Sequence, residues 1–186
     1  MIANNEYIVV TPPKTGSTSL NCGLMGTDFR VYMPVHGYSD EHHQNNQKPI
    51  LLVRDPIKRW LSTYRFGHKL IEKGFDKGQL AKSVVTLDSF ADWFFEKRDP
   101  INLNDKRNLP YYWRMSFSEY EKIIKTEEWM TLPEVTQKLS LTLVHTNKND
   151  KYKLEFDDVP SRIQKKVIEW AKPDYERREC YKYINV

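Results

Sequence analysis

Cysteine is scarce in this sequence: only Cys22 and Cys180 occur among 186 residues. Two cysteines make no disulfide framework, and no Cys-x-x-Cys or Cys/His spacing of a zinc site is present. Reduced, structural thiols are therefore expected, with no metal. Long apolar runs are missing too, and no stretch approaches the ~18 residues that cross a bilayer. The opening Met1-Ile2-Ala3-Asn4-Asn5-Glu6 has no basic start followed by an apolar segment, so no signal peptide is visible. The expectation is a soluble, cytoplasmic protein without a membrane span. No internal repeat or low-complexity tract interrupts the chain, and one domain over residues 1–186 is expected. An excess of one charge is nearly absent as well: 29 Lys and Arg stand against 25 Asp and Glu. The net charge of +4 favours anionic ligands but is too small to argue for nucleic acid.

What is present is a globular composition, 39% hydrophobic and 13% aromatic, on a chain long enough to bury a core without staples. Tyr7-Ile8-Val9-Val10 reads as a buried strand. Ser17 to Met25 reads as a helix closed by Gly26. Phe29 to His36 and Pro49 to Val53 read as further strands, with Pro34 marking an edge or a strand end. Pro56 suits the first residue of a helix, and Ile57, Trp60, Leu61, Tyr64 and Ile71 follow helical spacing. Residues 75–86 read as loop. A helix from Leu87 to Lys97, capped by Asp88, comes next. Residues 98–110 read as a long polar loop. Helices are expected near 118–128, 133–139, 160–171 and 173–183, a strand at Leu141–Val144, and a polar loop at 147–153. Alternating strands and helices imply an α/β domain with a mainly parallel sheet, whose ligands bind at the carboxyl ends of the strands.

Just after the first strand stands Thr11-Pro12-Pro13-Lys14-Thr15-Gly16-Ser17-Thr18-Ser19. Strand, loop and helix in this order make an anion site, because N–H groups at a helix start point at the anion and the helix dipole favours negative charge. Gly16 allows close backbone approach, Ser17, Thr18 and Ser19 add hydroxyl donors, and Lys14 adds a positive charge. In the nucleotide-binding pattern G-x-x-x-x-G-K-[ST] the lysine directly follows a glycine. Here Lys14 precedes Gly16 by two residues, which argues against ATP chemistry. A second segment, Leu51-Leu52-Val53-Arg54-Asp55-Pro56-Ile57-Lys58-Arg59-Trp60-Leu61-Ser62-Thr63-Tyr64, puts Arg54 at a strand end and Ser62 in the following helix. An arginine so placed can fork onto a phosphate, and a serine can add a neutral donor.

The run Pro13-Lys14-Thr15-Gly16-Ser17-Thr18-Ser19 resembles the 5′-phosphosulfate loop of sulfotransferases that use 3′-phosphoadenosine 5′-phosphosulfate (PAPS). Arg54 to Tyr64 resembles their 3′-phosphate segment, in which Arg and Ser lie eight residues apart. The wording is closest to carbohydrate sulfotransferases of the heparan sulfate 2-O type. The resemblance covers about the first seventy residues. It implies a P-loop-like three-layer domain, the parallel sheet flanked by helices. Farther on, Tyr111-Tyr112-Trp113 resembles a family position often written His-Trp, with Tyr112 where the histidine would fall, and Asp174-Tyr175-Glu176 resembles a C-terminal helix of the family.

The resemblance implies transfer of a sulfuryl group from PAPS to a hydroxyl or amine, leaving 3′-phosphoadenosine 5′-phosphate (PAP). Lys14 would stabilise the leaving phosphate. Residues Thr15, Gly16, Ser17, Thr18 and Ser19 would hold the 5′-phosphate, and Arg54 with Ser62 the 3′-phosphate. The scheme requires no metal. Candidates for the base are His36, Asp40, Glu41, His42 and His43. His36 ranks first because an imidazole suits proton transfer near neutral pH and ends a strand on the expected side. Glu41 ranks second, because related enzymes use a glutamate. Arg59, Arg65, His68, Lys69, Lys97, Arg98, Lys106, Arg107 and Arg114 are candidates to receive an anionic acceptor, such as a sulfated or uronic-acid sugar; a solvated charged face is the plain alternative. Two other functions stay open, a P-loop nucleotide or nucleoside kinase and a non-catalytic PAP-binding protein.

Overall fold

The structure is a computed structural model that describes residues 2–24, 26–31, 47–75, 78–96, 112–126, 128–142 and 154–177. Along the chain it contains β1 (Ile2–Ala3), β2 (Tyr7–Val10), α1 (Ser17–Cys22), β3 (Arg30–Val31), β4 (Lys48–Val53) and α2 (Pro56–Glu72). Then come α3 (Gln79–Ser83), α4 (Leu87–Phe95), α5 (Phe117–Ile124), β5 (Trp129–Thr131), α6 (Leu132–Lys138), a 3-10 turn at Phe156–Asp158 and α7 (Ser161–Arg177). These elements fall into two compact units: Met1–Arg54 with Pro100–Lys148, and Asp55–Asp99 with Asn149–Val186.

The first unit holds an open five-stranded mixed sheet in the order β3-β1-β2-β4-β5. β2 pairs with β4 and β4 with β5 in parallel, while β1 runs antiparallel to both β2 and β3. Ile8–Val10 and Ile50–Val53 are continuous apolar runs because both faces of these strands are covered. Ile2, Val9, Leu20, Leu24, Ile50, Leu52 and Val135 form the core. Burying each such side chain contributes about 1.5–3 kcal/mol. Pro49 lies inside β4, where it has no N–H for the ladder. Its carbonyl is satisfied from outside the sheet by the Thr126 hydroxyl at 2.6 Å.

The second unit is helical, with an aromatic core. Ile57, Trp60 and Leu61 bury one face of α2, as i, i+3, i+4 spacing dictates. Trp60 meets Phe90 and Phe94 of α4 at ring separations of 5.2 and 6.4 Å, and Phe94 meets Trp170 of α7 edge-on at 5.1 Å. Gly67 lets α2 approach its neighbour closely, since a Cβ there would lie 2.5 Å from Val84 Cγ1.

The α/β character and the strands at Tyr7–Val10 and Pro49–Val53 agree with the sequence reading, and Pro56 opens α2. Other elements differ. The first helix ends at Cys22 rather than Met25. Residues 75–86 contain α3 rather than loop alone. Thr86, not Asp88, caps α4, because its side chain and that of Ser89 close a reciprocal capping box. Of the expected strand at 141–144, Leu141 and Thr142 are not strand and 143–144 lie outside the described residues; the sheet includes Trp129–Thr131, which was not expected. The two expected C-terminal helices are continuous from Ser161 to Arg177, with Pro173 inside. Of the expected strand at 29–36, Arg30–Val31 is present and 32–36 lie outside the described residues, as do the loops at 98–110 and 147–153.

Candidate functional site

The β2–α1 junction is a tightly folded loop. Thr11 and Thr15 are buried, and the Thr15 hydroxyl donates to the Pro12 carbonyl at 2.7 Å, closing a turn. Lys14 (φ 66°) and Gly16 (φ 106°) both adopt left-handed backbone. For a non-glycine residue such as Lys14 that conformation costs about 1–2 kcal/mol, so the surrounding structure must hold it. Gly16 is required twice over. Its φ disfavours a side chain, and a Cβ there would lie 2.8 Å from Leu132 Cδ2.

Gly16 is the N-cap of α1, no side chain caps that start, and no acid stands in the first turn. The starts of α2, α4, α5 and α6 are different: Asp55, Thr86, Ser116 and Thr131 accept from or box the first-turn N–H groups. The start of α1, like that of α3 at Gly78, therefore has no side-chain cap bond. Chemically it suits an external anion. Ser17 is buried, Ser19 half-buried and Thr18 exposed, so Thr18 has the most accessible hydroxyl of the three.

The parallel strands bring other junctions to the same edge of the sheet. Arg54 follows the last residue of β4, and its Nη1 donates to the Lys14 carbonyl at 3.1 Å. Sequence spacing pointed Arg54 at a phosphate; the structure also gives it the task of holding the loop. The junction of β5 with α6 is the third. Thr131 and Glu134 box the start of α6, the Glu134 carboxylate accepting from Thr131 N–H at 2.6 Å, and Leu132 packs at Gly16. Sequence reasoning missed this junction. The Thr-x-x-Glu pattern at 131–134 was the signal that could have found it.

The remaining expected residues fall elsewhere. Ser62 is half-buried on α2 in the second unit. His36, Asp40, Glu41, His42 and His43 lie outside the described residues, as do Lys97, Arg98, Lys106 and Arg107. Arg59, a candidate for receiving an anionic acceptor, is 1% exposed, with its guanidinium 5.9 Å from the Trp170 ring centre. It is a packing residue, not a surface one. Arg65 donates to the Leu154 carbonyl, and Arg114 is buried. His68 is half-buried against Tyr64, and burial pushes its imidazole down while Glu72 pulls it partly back. Lys69, at the end of α2, is half-buried. Tyr112 is buried and stacked on Tyr120, whose hydroxyl donates to the Tyr112 carbonyl at 3.0 Å; burial pushes the Tyr112 phenol up. Trp113 is half-buried.

Among the described residues no group of three His, Cys, Asp or Glu side chains is placed to hold a metal ion, and no helix is long and apolar enough to cross a membrane. The chain matches no protein-family model, no curated protein and no solved structure.

Proposed function

We propose that this chain is a sulfotransferase of P-loop-like, three-layer architecture. It moves a sulfuryl group from PAPS to a hydroxyl or amine of an acceptor, a carbohydrate by the wording of its motifs. One observation carries most of the support: the loop after β2 leads into a helix start that no side chain caps, while Arg54 holds its backbone in place from the next parallel strand. The donor set fits the ligand. First-turn N–H groups and the Thr18 hydroxyl suit a 5′-phosphosulfate. Arg54 and Ser62, eight residues apart in the sequence, suit a second phosphate. Each hydrogen bond to such ionised oxygens contributes about 1.5–3 kcal/mol.

In the reaction the acceptor oxygen forms a bond to sulfur as the bond from sulfur to the bridging phosphate oxygen breaks. PAP leaves with the electron pair. The role of this chain is to align the groups and neutralise growing charge. Lys14 stabilises the leaving oxygen, and a base takes the acceptor proton. His36 is the first candidate for that base and Glu41 the second, both from sequence position.

A thermal-shift screen with PAP, PAPS, ATP–Mg and ADP tests the reading, because a ligand of the native state raises apparent stability by mass action. PAP and PAPS are expected to stabilise the protein most. Stabilisation by ATP–Mg without any by PAP would overturn it in favour of a kinase. Stabilisation by PAPS without turnover on any sugar acceptor would leave a binding protein.

A further inference from the structure

Two neighbouring parallel strands hold the loop after β2, each by the residue just past its end. Val53 of β4 and Thr131 of β5 are register partners, so Arg54 and Leu132 leave the sheet at the same level. Arg54 donates to the Lys14 carbonyl at 3.1 Å. Leu132 covers the α-carbon of Gly16: a Cβ there would lie 2.8, 3.6 and 3.7 Å from its Cδ2, Cγ and Cδ1. Leu132 is itself held. It is half-buried and packs against the core cluster that includes Val9, Leu20 and Val135. The residue before it is fixed by the Glu134 carboxylate, which accepts from the Thr131 N–H at 2.6 Å and the Thr131 hydroxyl at 2.8 Å. The residue after it is fixed by the Thr136 hydroxyl, which donates to the Pro133 carbonyl at 2.9 Å. Glycine is the least restricted residue in its backbone angles, so a Gly16 with nothing against its α-carbon would leave the loop several arrangements. A packed leucine selects the one at φ 106°.

We propose that Leu132 is a positioning residue for the recognition of the 5′-phosphate. By holding Gly16 it fixes the peptide groups on either side, and hence where the Gly16 and Ser17 N–H groups point. Neutral donors recognise one phosphate together only when each is placed within about 0.5 Å and 10–20°, which a loop free to change its backbone does not provide. Leu132 has no polar group and takes no part in the chemistry. The inference rests on the PAPS reading given above, and every residue it uses belongs to the first unit.

The test is calorimetric binding of PAP and of adenosine 3′-phosphate, which differ only in the 5′-phosphate, to wild type, Leu132→Ala and Leu132→Met. Wild type is expected to prefer PAP by about 100-fold or more, from several charge-assisted contacts. Leu132→Ala is expected to narrow that preference about tenfold while changing affinity for adenosine 3′-phosphate less than about twofold. Leu132→Met fills nearly the same volume and is expected to restore most of the preference. An unchanged preference in Leu132→Ala, equal losses for both ligands, or a methionine variant as impaired as the alanine one overturns the inference and leaves the PAPS reading standing. A wild type with no preference for PAP overturns both. Should Leu132→Ala fail to fold, Leu132→Val lacks the δ carbons that stand over Gly16, and the same narrowing is expected.

Discussion

The starts of α1 and α2 solve one physical problem in opposite ways. Each follows a parallel strand, and each leaves first-turn N–H groups without intrahelical partners. At α2 the chain supplies everything itself: the Asp55 cap, Pro56 in the first turn, and Tyr175 on the second carboxylate oxygen. At α1 it supplies a glycine cap, a strained Lys14 and no side-chain cap bond. A self-satisfied start gains stability and rigidity. A start left for something else gives up that stability, and the loop is instead held by Arg54, Thr15 and Leu132. The starts of both α1 and α3 carry a glycine N-cap with no side-chain cap bond, and only the α1 start follows a parallel strand.

Breaking the α2 start should produce the largest loss of stability. Asp55→Ala removes the cap and leaves the Tyr175 hydroxyl buried without this acceptor, so it is expected to cost about 2 kcal/mol. Urea unfolding, read as a shift in midpoint at constant slope, measures it. A loss under about 0.5 kcal/mol would mean that α2 does not depend on its cap.

Gly16→Ala sharpens the contrast. The left-handed backbone is expected to cost about 1 kcal/mol with a side chain present, and the Leu132 methyl must move aside. Stability should therefore fall less than for Asp55→Ala, while stabilisation by PAP disappears. An alanine variant that is stabilised by PAP as strongly as wild type would show that the left-handed backbone at Gly16 is not needed for binding.

The smallest effect is a pH dependence carried by α2. Burial lowers the imidazole of His68 below its ordinary value of 6.5, against the opposing pull of Glu72. The folded state then takes up this proton only at lower pH than the unfolded chain does. Between the two values the unfolded state binds more protons, so this contribution to stability is present at neutral pH and is lost as pH falls below about 6.5. His68→Phe keeps a ring against Tyr64 and removes the proton. Its melting temperature should drop less than that of wild type between about pH 7 and pH 5. An equal drop would assign the acid sensitivity to other groups.

Much of this was legible along the chain because it is local. Ile8–Val10 and Ile50–Val53 are apolar without interruption, which marks strands covered on both faces. Pro56 fits a first helical turn, and Ile57, Trp60 and Leu61 recur at the helical period. What escaped was short or borrowed. β5 has three residues, too few for any period, and is recruited by pairing with β4. α3 has five residues after Gly78, inside a stretch that reads as loop. Asp88 looked like a cap because aspartate favours that position, yet Thr86 with Ser89 satisfies two donors reciprocally and wins. Arg59 looked like a surface charge in a basic run, and its burial beside Trp170 depends on α7.

By itself the sequence determined the strands at Tyr7–Val10 and Pro49–Val53, the loop with Lys14 and Gly16 after β2, and the helix start at Pro56. Each follows from side-chain chemistry within a few residues. Only the tertiary structure decided that Arg54 grips the Lys14 carbonyl, that Leu132 stands over Gly16, and that Tyr175 reaches Asp55. Those contacts join residues 40, 116 and 120 positions apart. Their geometry is set by which strands pair and how helices pack, and local propensity carries no record of either.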